Sequence, residues 1–152
     1  IARGDFLLID IGVKMNGYCS DITRTFAVGD VSDEAKRIYA AVLEANRRAI
    51  EAIRPGVTLG SLDRTARAVI ENAGYGPYFM HRLGHGLGLD IHEYPSVHGL
   101  NEDLVRAGLA FTVEPGIYVP GVGGVRIEDD VVATTDGVDV LTTFPKELTV
   151  LG

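Results

Sequence analysis

A chain of 152 residues, 46% hydrophobic and 23% charged, has the make-up of one globular domain with a sizeable core. Its net charge of −7 excludes the basic face that a nucleic-acid partner demands. The longest apolar runs, such as FLLIDIGV, are too short to span a bilayer. Cys19 is the only cysteine, so no disulfide forms within the chain, which suits a cytoplasmic setting. IARGDF has an acid where the apolar segment of a secretory leader should continue. The first residue is Ile1, a few positions before a strand pattern, and we expect a piece of a longer protein.

In chain order, DFLLIDIGVKMNGYCSDITRTFAVG predicts two strands joined at Asn16-Gly17, a dipeptide suited to a type I′ turn. SDEAKRIYAAVLEANRRAIEAIRPG predicts a helix capped by Ser32, favoured by Asp33 and Glu34 and stopped at Pro55-Gly56. Its buried stripe is Ile38, Val42, Ala45, Ala49 and Ile53. A shorter helix fits SLDRTARAVIENAG, with Leu62, Ala66, Val69 and Ile70 inward and Gly74 as its stop. Next comes the glycine-rich HRLGHGLGLDIHE, with three of the four histidines; it fits a metal cage, a proton-transfer set or an ordinary polar loop. A second hairpin fits GLAFTVEPGIYVPGVGGVRIEDDVVAT, turning around Pro120 to Gly124, and VDVLTTF reads as a final strand. These elements make a single α+β unit.

The acids carry the chemistry. Asp10 lies between Ile9 and Ile11, in an apolar run where a carboxylate needs compensation. With Asn16 and Gly17 as the loop, Gly12 pairs with Asp21, so Asp10 and Asp21 share a sheet face as diagonal neighbours. Diagonal neighbours are about 7–8 Å apart, within reach of a shared cation. Two unrelated polar strand residues are the alternative. Glu114 ends an apolar strand before Pro115, and Glu128 lies on its partner, with Arg126 on the same face. Asp129 and Asp130 read as a solvated strand end. Converging carboxylates need protons or metals to neutralise them, and metal is the simpler answer. Oxygen-rich ligation with one imidazole suits manganese, cobalt, iron or zinc; a thiolate-built zinc site is excluded by composition.

LIDIG, YCSDITRTF, HRLGHGLGLDIHE, VEPGIYVPGVGGVRIEDD and LTTFPKEL together resemble the catalytic domain of the pita-bread metallopeptidases, within them the Xaa-Pro branch of prolidase and aminopeptidase P. The resemblance runs nearly end to end. It implies the creatinase/methionine aminopeptidase-like fold: a curved, mostly antiparallel sheet with helices on its outer face, here incomplete at the N-terminus. Residues 1–152 would then be the catalytic domain. The compact stretch between Glu114 and Glu128 resembles prolidase more than methionine aminopeptidase, and creatinase lacks the metal set.

By the same resemblance Asp10, Asp21, His85, Glu114 and Glu128 hold two divalent metal ions, manganese first, with cobalt, iron or zinc as alternatives. Asp21 and Glu128 bridge the ions, Asp10 completes one shell, and His85 with Glu114 the other. The ions acidify a bridging water that attacks the bond preceding proline, and Glu114 shuttles its proton to the leaving nitrogen. His81 and His92 face the substrate and the tetrahedral intermediate, and Arg126 orients the acids or a substrate carboxylate. Tyr118 is a nearby hydrogen-bond donor or a core residue. His98 reads as a solvated loop residue, Cys19 as a packed thiol and Arg24 as an ion-pairing strand residue. The parent protein is expected to be a cytoplasmic homodimer, with a peptide as its substrate. The fragment, without upstream helices and an upstream pocket histidine, is expected to have little activity and part of its sheet uncovered. The alternatives are an aminopeptidase of this fold without proline specificity and a catalytically silent binding module.

Overall fold

The computed structural model describes residues 1–152. Strands β1 (Phe6–Ile11), β2 (Lys14–Met15), β3 (Tyr18–Cys19) and β4 (Ile22–Val28) form the first hairpin. Asn16 and Gly17 turn it with φ of 51° and 91°, the left-handed values the dipeptide tolerates. Met15 pairs with Tyr18 at the tip, and Asp10 pairs with Thr23 in the stem, so one register runs throughout. The ladder opens around Gly12, where a Cβ would stand 2.3 Å from the Ser20 carbonyl oxygen. Glycine is required there by that close approach.

Helix α1 (Asp33–Glu51) starts where Ser32 Oγ accepts the Ala35 N–H at 3.1 Å. Ile38, Val42, Ala45 and Ala49 are all fully buried along one side. The helix ends at Glu51, four residues before the expected Pro55-Gly56 stop, with Ala52 as its C-cap. Helix α2 (Leu59–Asn72) begins two residues before the expected start, and Thr58 caps it. Leu62, Ala66 and Ile70 are buried and Val69 half-buried. The chain leaves this helix through Gly74, at φ 87°.

The histidine-rich segment is not a loop throughout. It contains β5 (Gly84–Gly86), which pairs with β6 (Glu93–Val97) and β7 (Ala110–Val113). The second hairpin then runs through β7, β8 (Gly116–Val119), β9 (Gly123–Arg126) and β10 (Asp129–Ala133), turning at residues 120–122. The expected final strand is only β11 (Val138–Val140); Thr142 to Phe144 leave the sheet. A short β12 (Val150–Leu151) joins β4 in parallel, and every other pairing is antiparallel.

Two sheets result, ordered β1-β4-β12 and β11-β10-β7-β5-β6, with β8 and β9 extending the second hairpin. They are stitched by Glu128 N–H donating to Thr23 O at 3.1 Å and by Thr25 Oγ donating to Arg126 O at 3.0 Å. Both helices cover one side, where 23 buried residues form the main core, among them Ile38, Leu59, Leu62, Phe111, Ile117 and Ile127. Each large aliphatic side chain there contributes about 1.5–3 kcal/mol of burial. The far half of β1 and the hairpin tip lack such cover, leaving Ile9, Ile11, Val13 and Met15 exposed, as expected of the uncovered sheet. No helix is long and apolar enough to cross a membrane.

Candidate metal centre

The site forms where both hairpins open and meet β5. Asp21, His85 and Glu128 each offer one donor atom, all within 4.8 Å of one another, and all three residues are buried. Asp21 precedes β4, and its N–H donates to Asp130 Oδ2 at 2.9 Å. Its carboxyl is pushed up, first by burial and then by the neighbouring Asp10 charge.

His85 sits between glycines for a steric reason. A Cβ on Gly84 would lie 1.9 Å from Thr112 O, and one on Gly86 2.1 Å from Tyr94 O, so only glycines let the flanking backbones close on the imidazole strand. His85 Nδ1 lies 3.1 Å from Gly86 O. A carbonyl oxygen accepts only, so Nδ1 carries the proton and Nε2 turns its lone pair to the acids. Nε2 stands 3.3 Å from Glu114 Oε1 and 3.7 Å from Asp21 Oδ2.

Glu114 accepts from Thr112 Oγ at 3.1 Å, and burial raises its carboxyl to about 7. Glu128 Oε2 accepts from Thr23 Oγ at 2.5 Å; burial, reinforced by the Glu114 charge, raises its carboxyl to about 8. Asp10 stands at the rim and is the most exposed of the four acids and the imidazole. It pairs with Arg126 Nη2 and lies outside the tight trio. Arg126 also donates to Thr23 Oγ and to Tyr118 OH, each at 3.1 Å. Tyr118 therefore receives a hydrogen bond here.

His81, Arg82, His85, His92, Glu114 and Arg126 line a polar pocket over the trio. The His92 ring stacks edge-on against His85, with centroids 4.3 Å apart. His81 packs against Phe79 and Tyr118, its Nδ1 lies 2.8 Å from Arg82 O, and its buried Nε2 has no partner. Burial lowers its pKa, favouring the neutral ring.

Two expectations fail at the neighbouring acids. Asp129 and Asp130 are not a solvated strand end: they are 0% and 7% exposed. The hairpin continues between β7 and β11 at that point, and partners arrive from distant segments. Asp129 meets Arg24 at 2.8 Å, Lys146 at 2.6 Å and Asn46 at 3.0 Å. Asp130 supports Asp21, and burial raises its carboxyl to about 6. Arg24 is the ion-pairing strand residue expected. Cys19 packs with its thiol 3.7 Å from Leu89 O, and His98 Nδ1 accepts the Leu100 N–H at 3.3 Å. The sequence reading missed Arg82, Thr23 and Thr112. Only Thr23 carried a signal, because the hairpin register sets it opposite Asp10.

A buried group of carboxylates and one imidazole is a donor set suited to divalent metal. Residues 1–135 match the metallopeptidase family M24, and the chain belongs to that family. The Bacillus subtilis protein YkvY is 57% identical over 151 residues, covering 99% of this chain and 42% of its own length. Among solved structures, the Xaa-Pro dipeptidase of Bacillus anthracis is 51% identical with a TM-score of 0.97. The dipeptidase of Pyrococcus horikoshii OT3 is 48% identical, also with a TM-score of 0.97. Each comparison covers 99% of this chain and 42% of the other. The fold is thus the pita-bread fold, and the chain spans under half the length of the relatives it matches.

Proposed function

We propose that these residues are the catalytic domain of a dinuclear peptidase that hydrolyses bonds preceding proline. Asp10, Asp21, His85, Glu114 and Glu128 would hold two divalent ions, with Asp21 and Glu128 shared between them. The observation that carries this reading is the convergence of Asp21, His85 and Glu128 donor atoms within 4.8 Å, with Glu114 Oε1 3.3 Å from the imidazole. Acids raised to about 7 and 8 by burial are a set that cations would neutralise. Oxygen donors with one imidazole and no thiolate fit manganese first, with cobalt, iron or zinc as alternatives.

Bound there, the ions supply Lewis acidity and a water acidic enough to attack at neutral pH. Glu114 receives the attacking water's proton and delivers it to the proline nitrogen as the bond breaks. Thr112 orients one of its oxygens from behind. His81, with Nδ1 donating to Arg82 O, offers Nε2 as an acceptor while neutral; it donates to an oxyanion only once protonated. His92, against His85, faces the substrate from the same pocket. Arg126 positions Asp10 and Thr23 rather than a substrate group. The relatives named as Xaa-Pro and plain dipeptidases support a peptide substrate with proline after the cleaved bond.

The whole protein, in this reading, is a cytoplasmic homodimer, and the 152 residues alone turn over little. The test is hydrolysis of Ala-Pro against Met-Ala-Ser by the full-length protein, metal-replete and after chelation. Metal-dependent cleavage of Ala-Pro is expected. Preference for Met-Ala-Ser would overturn proline specificity, and cleavage of neither would overturn the peptidase reading.

A further inference from the structure

We propose that Thr112 is a positioning residue for Glu114: its hydroxyl commits Oε1 of that carboxyl to accepting, so the shuttled proton travels on Oε2. The proposal rests on the peptidase reading and assigns an atom to its proton transfer.

Thr112 lies on β7 and is 0% exposed. Its Oγ accepts the His85 N–H at 3.1 Å and stands 3.1 Å from Glu114 Oε1. A backbone N–H can only donate. The hydroxyl has a single proton, and Glu114 Oε1 is the one acceptor it meets. A proton on Oε1 would make Oγ accept twice and strand its own buried proton without a partner. Oε1 is therefore the accepting oxygen whether Glu114 is charged or neutral.

The hydroxyl has little room to turn away. A Cβ on Gly84 would come within 2.9 Å of Thr112 Oγ, so β5 packs directly on it. The Glu114 backbone is held as well, its N–H donating to Leu83 O at 2.8 Å ahead of Pro115. Its two oxygens thus differ. Oε1 has Thr112 Oγ at 3.1 Å and His85 Nε2 at 3.3 Å. Oε2 takes no hydrogen bond, and Arg126, which lines the polar pocket, stands 3.9 Å away at Nε. The first hairpin repeats the device. Thr23, also 0% exposed, accepts from Arg126 Nε at 3.1 Å and gives its proton to Glu128 Oε2.

The transfer is then specific to one oxygen. As the attacking water adds, its O–H bond breaks and an Oε2–H bond forms. As the C–N bond breaks, Oε2 gives that proton to the proline nitrogen, which takes the C–N electron pair and leaves as a secondary amine.

The full-length protein carries the test, with Thr112→Val, which keeps the shape and removes the hydroxyl, and Thr112→Ser, which keeps the hydroxyl. In chelator, at a pH where Glu114 holds its proton, its carboxyl band is read by infrared difference spectroscopy against Glu114→Gln. A C=O that accepts a hydrogen bond absorbs at lower wavenumber, so Thr112→Val should raise the band and Thr112→Ser should leave it. With metal saturating, Thr112→Val should lower kcat for Ala-Pro about 10- to 100-fold with KM unchanged, and Thr112→Ser should restore most of it. Should valine disturb β7, Thr112→Ala makes the same two comparisons. An unmoved band in a folded variant without the hydroxyl places the proton on Oε1 and overturns the proposal. So does a kcat that Thr112→Val leaves unchanged, that serine does not rescue, or that falls only with loss of metal. A shifted band in a protein that leaves Ala-Pro intact would keep the oxygen assignment and remove the peptidase reading.

Discussion

Arg24 and Asp129 meet at 2.8 Å in the interior, with 4% and 0% of their side chains exposed, and through them the two hairpins are locked together. The same guanidinium donates to Thr23 O at 2.9 Å, Glu128 O at 2.6 Å, Phe144 O at 2.8 Å and Pro145 O at 3.0 Å. Arg24→Met would leave Asp129 charged, buried and held only by Lys146 and Asn46. A loss of about 3–5 kcal/mol of unfolding free energy is expected, measured by urea denaturation. A loss below about 1 kcal/mol would show that Lys146 alone suffices.

The donor geometry separates the histidines. His85→Ala should remove metal from the site, and Asp21→Asn should abolish paired binding, because each loses a donor of the tight trio. His81→Ala should keep the metal content and lower kcat by about 10²- to 10⁴-fold, the range for a positioned acid–base group. Metal analysis after gel filtration, alongside Ala-Pro turnover, decides it. Metal lost from His81→Ala and kept by His85→Ala would reverse the assignment.

Stability should depend on pH in a direction that metal reverses. Without ions, Glu114 and Glu128 keep their protons to about 7 and about 8 when folded, against an ordinary value of 4.5. Between those limits the folded state holds protons that the unfolded chain has released, so stability falls as pH rises. In chelator, Tm is expected to be lower at about pH 8 than at about pH 5.5. Added divalent metal should raise Tm more at the higher pH, where fewer protons must be displaced. A Tm in chelator that climbs across this window would contradict the burial of these acids.

Gly84→Ala tests the packing that aims His85. Its Cβ would overlap the Thr112 carbonyl at 1.9 Å, and that contact is with backbone, which cannot swing aside. We expect a cost of at least about 2 kcal/mol together with weakened metal binding, since β5 must shift away from β7. Calorimetric unfolding and metal titration of the same variant would reveal it; a stable variant with full metal affinity would mean that β5 moves freely.

Local chemistry made much of this legible. Asn16-Gly17 set the register of the first hairpin, and with it the shared face of Asp10 and Asp21. Ser32 set the start of α1. The motifs around His85, Glu114 and Glu128 pointed to one site and one fold. What escaped was non-local. Asp129 looks solvent-facing in RIEDD because its partners, Arg24, Asn46 and Lys146, lie 105, 83 and 17 residues away in sequence. The parallel pairing of β12 with β4 leaves no periodicity to follow across so short a strand. Arg82 sits next to His81 in a polar stretch, and only the placement of Ser96 across the β5–β6 turn shows which way its charge is held.

The trio's donors are scattered in sequence, with Asp21 far ahead of Glu128. During synthesis, more than a hundred residues separate the emergence of these two acids. At about 5–20 residues per second, that interval is roughly 5 to 20 s. Until Glu128 appears, the ribosome displays only lone acids and a histidine without the geometry to hold an ion. A centre built on all three donors is therefore complete only once Glu128 has emerged.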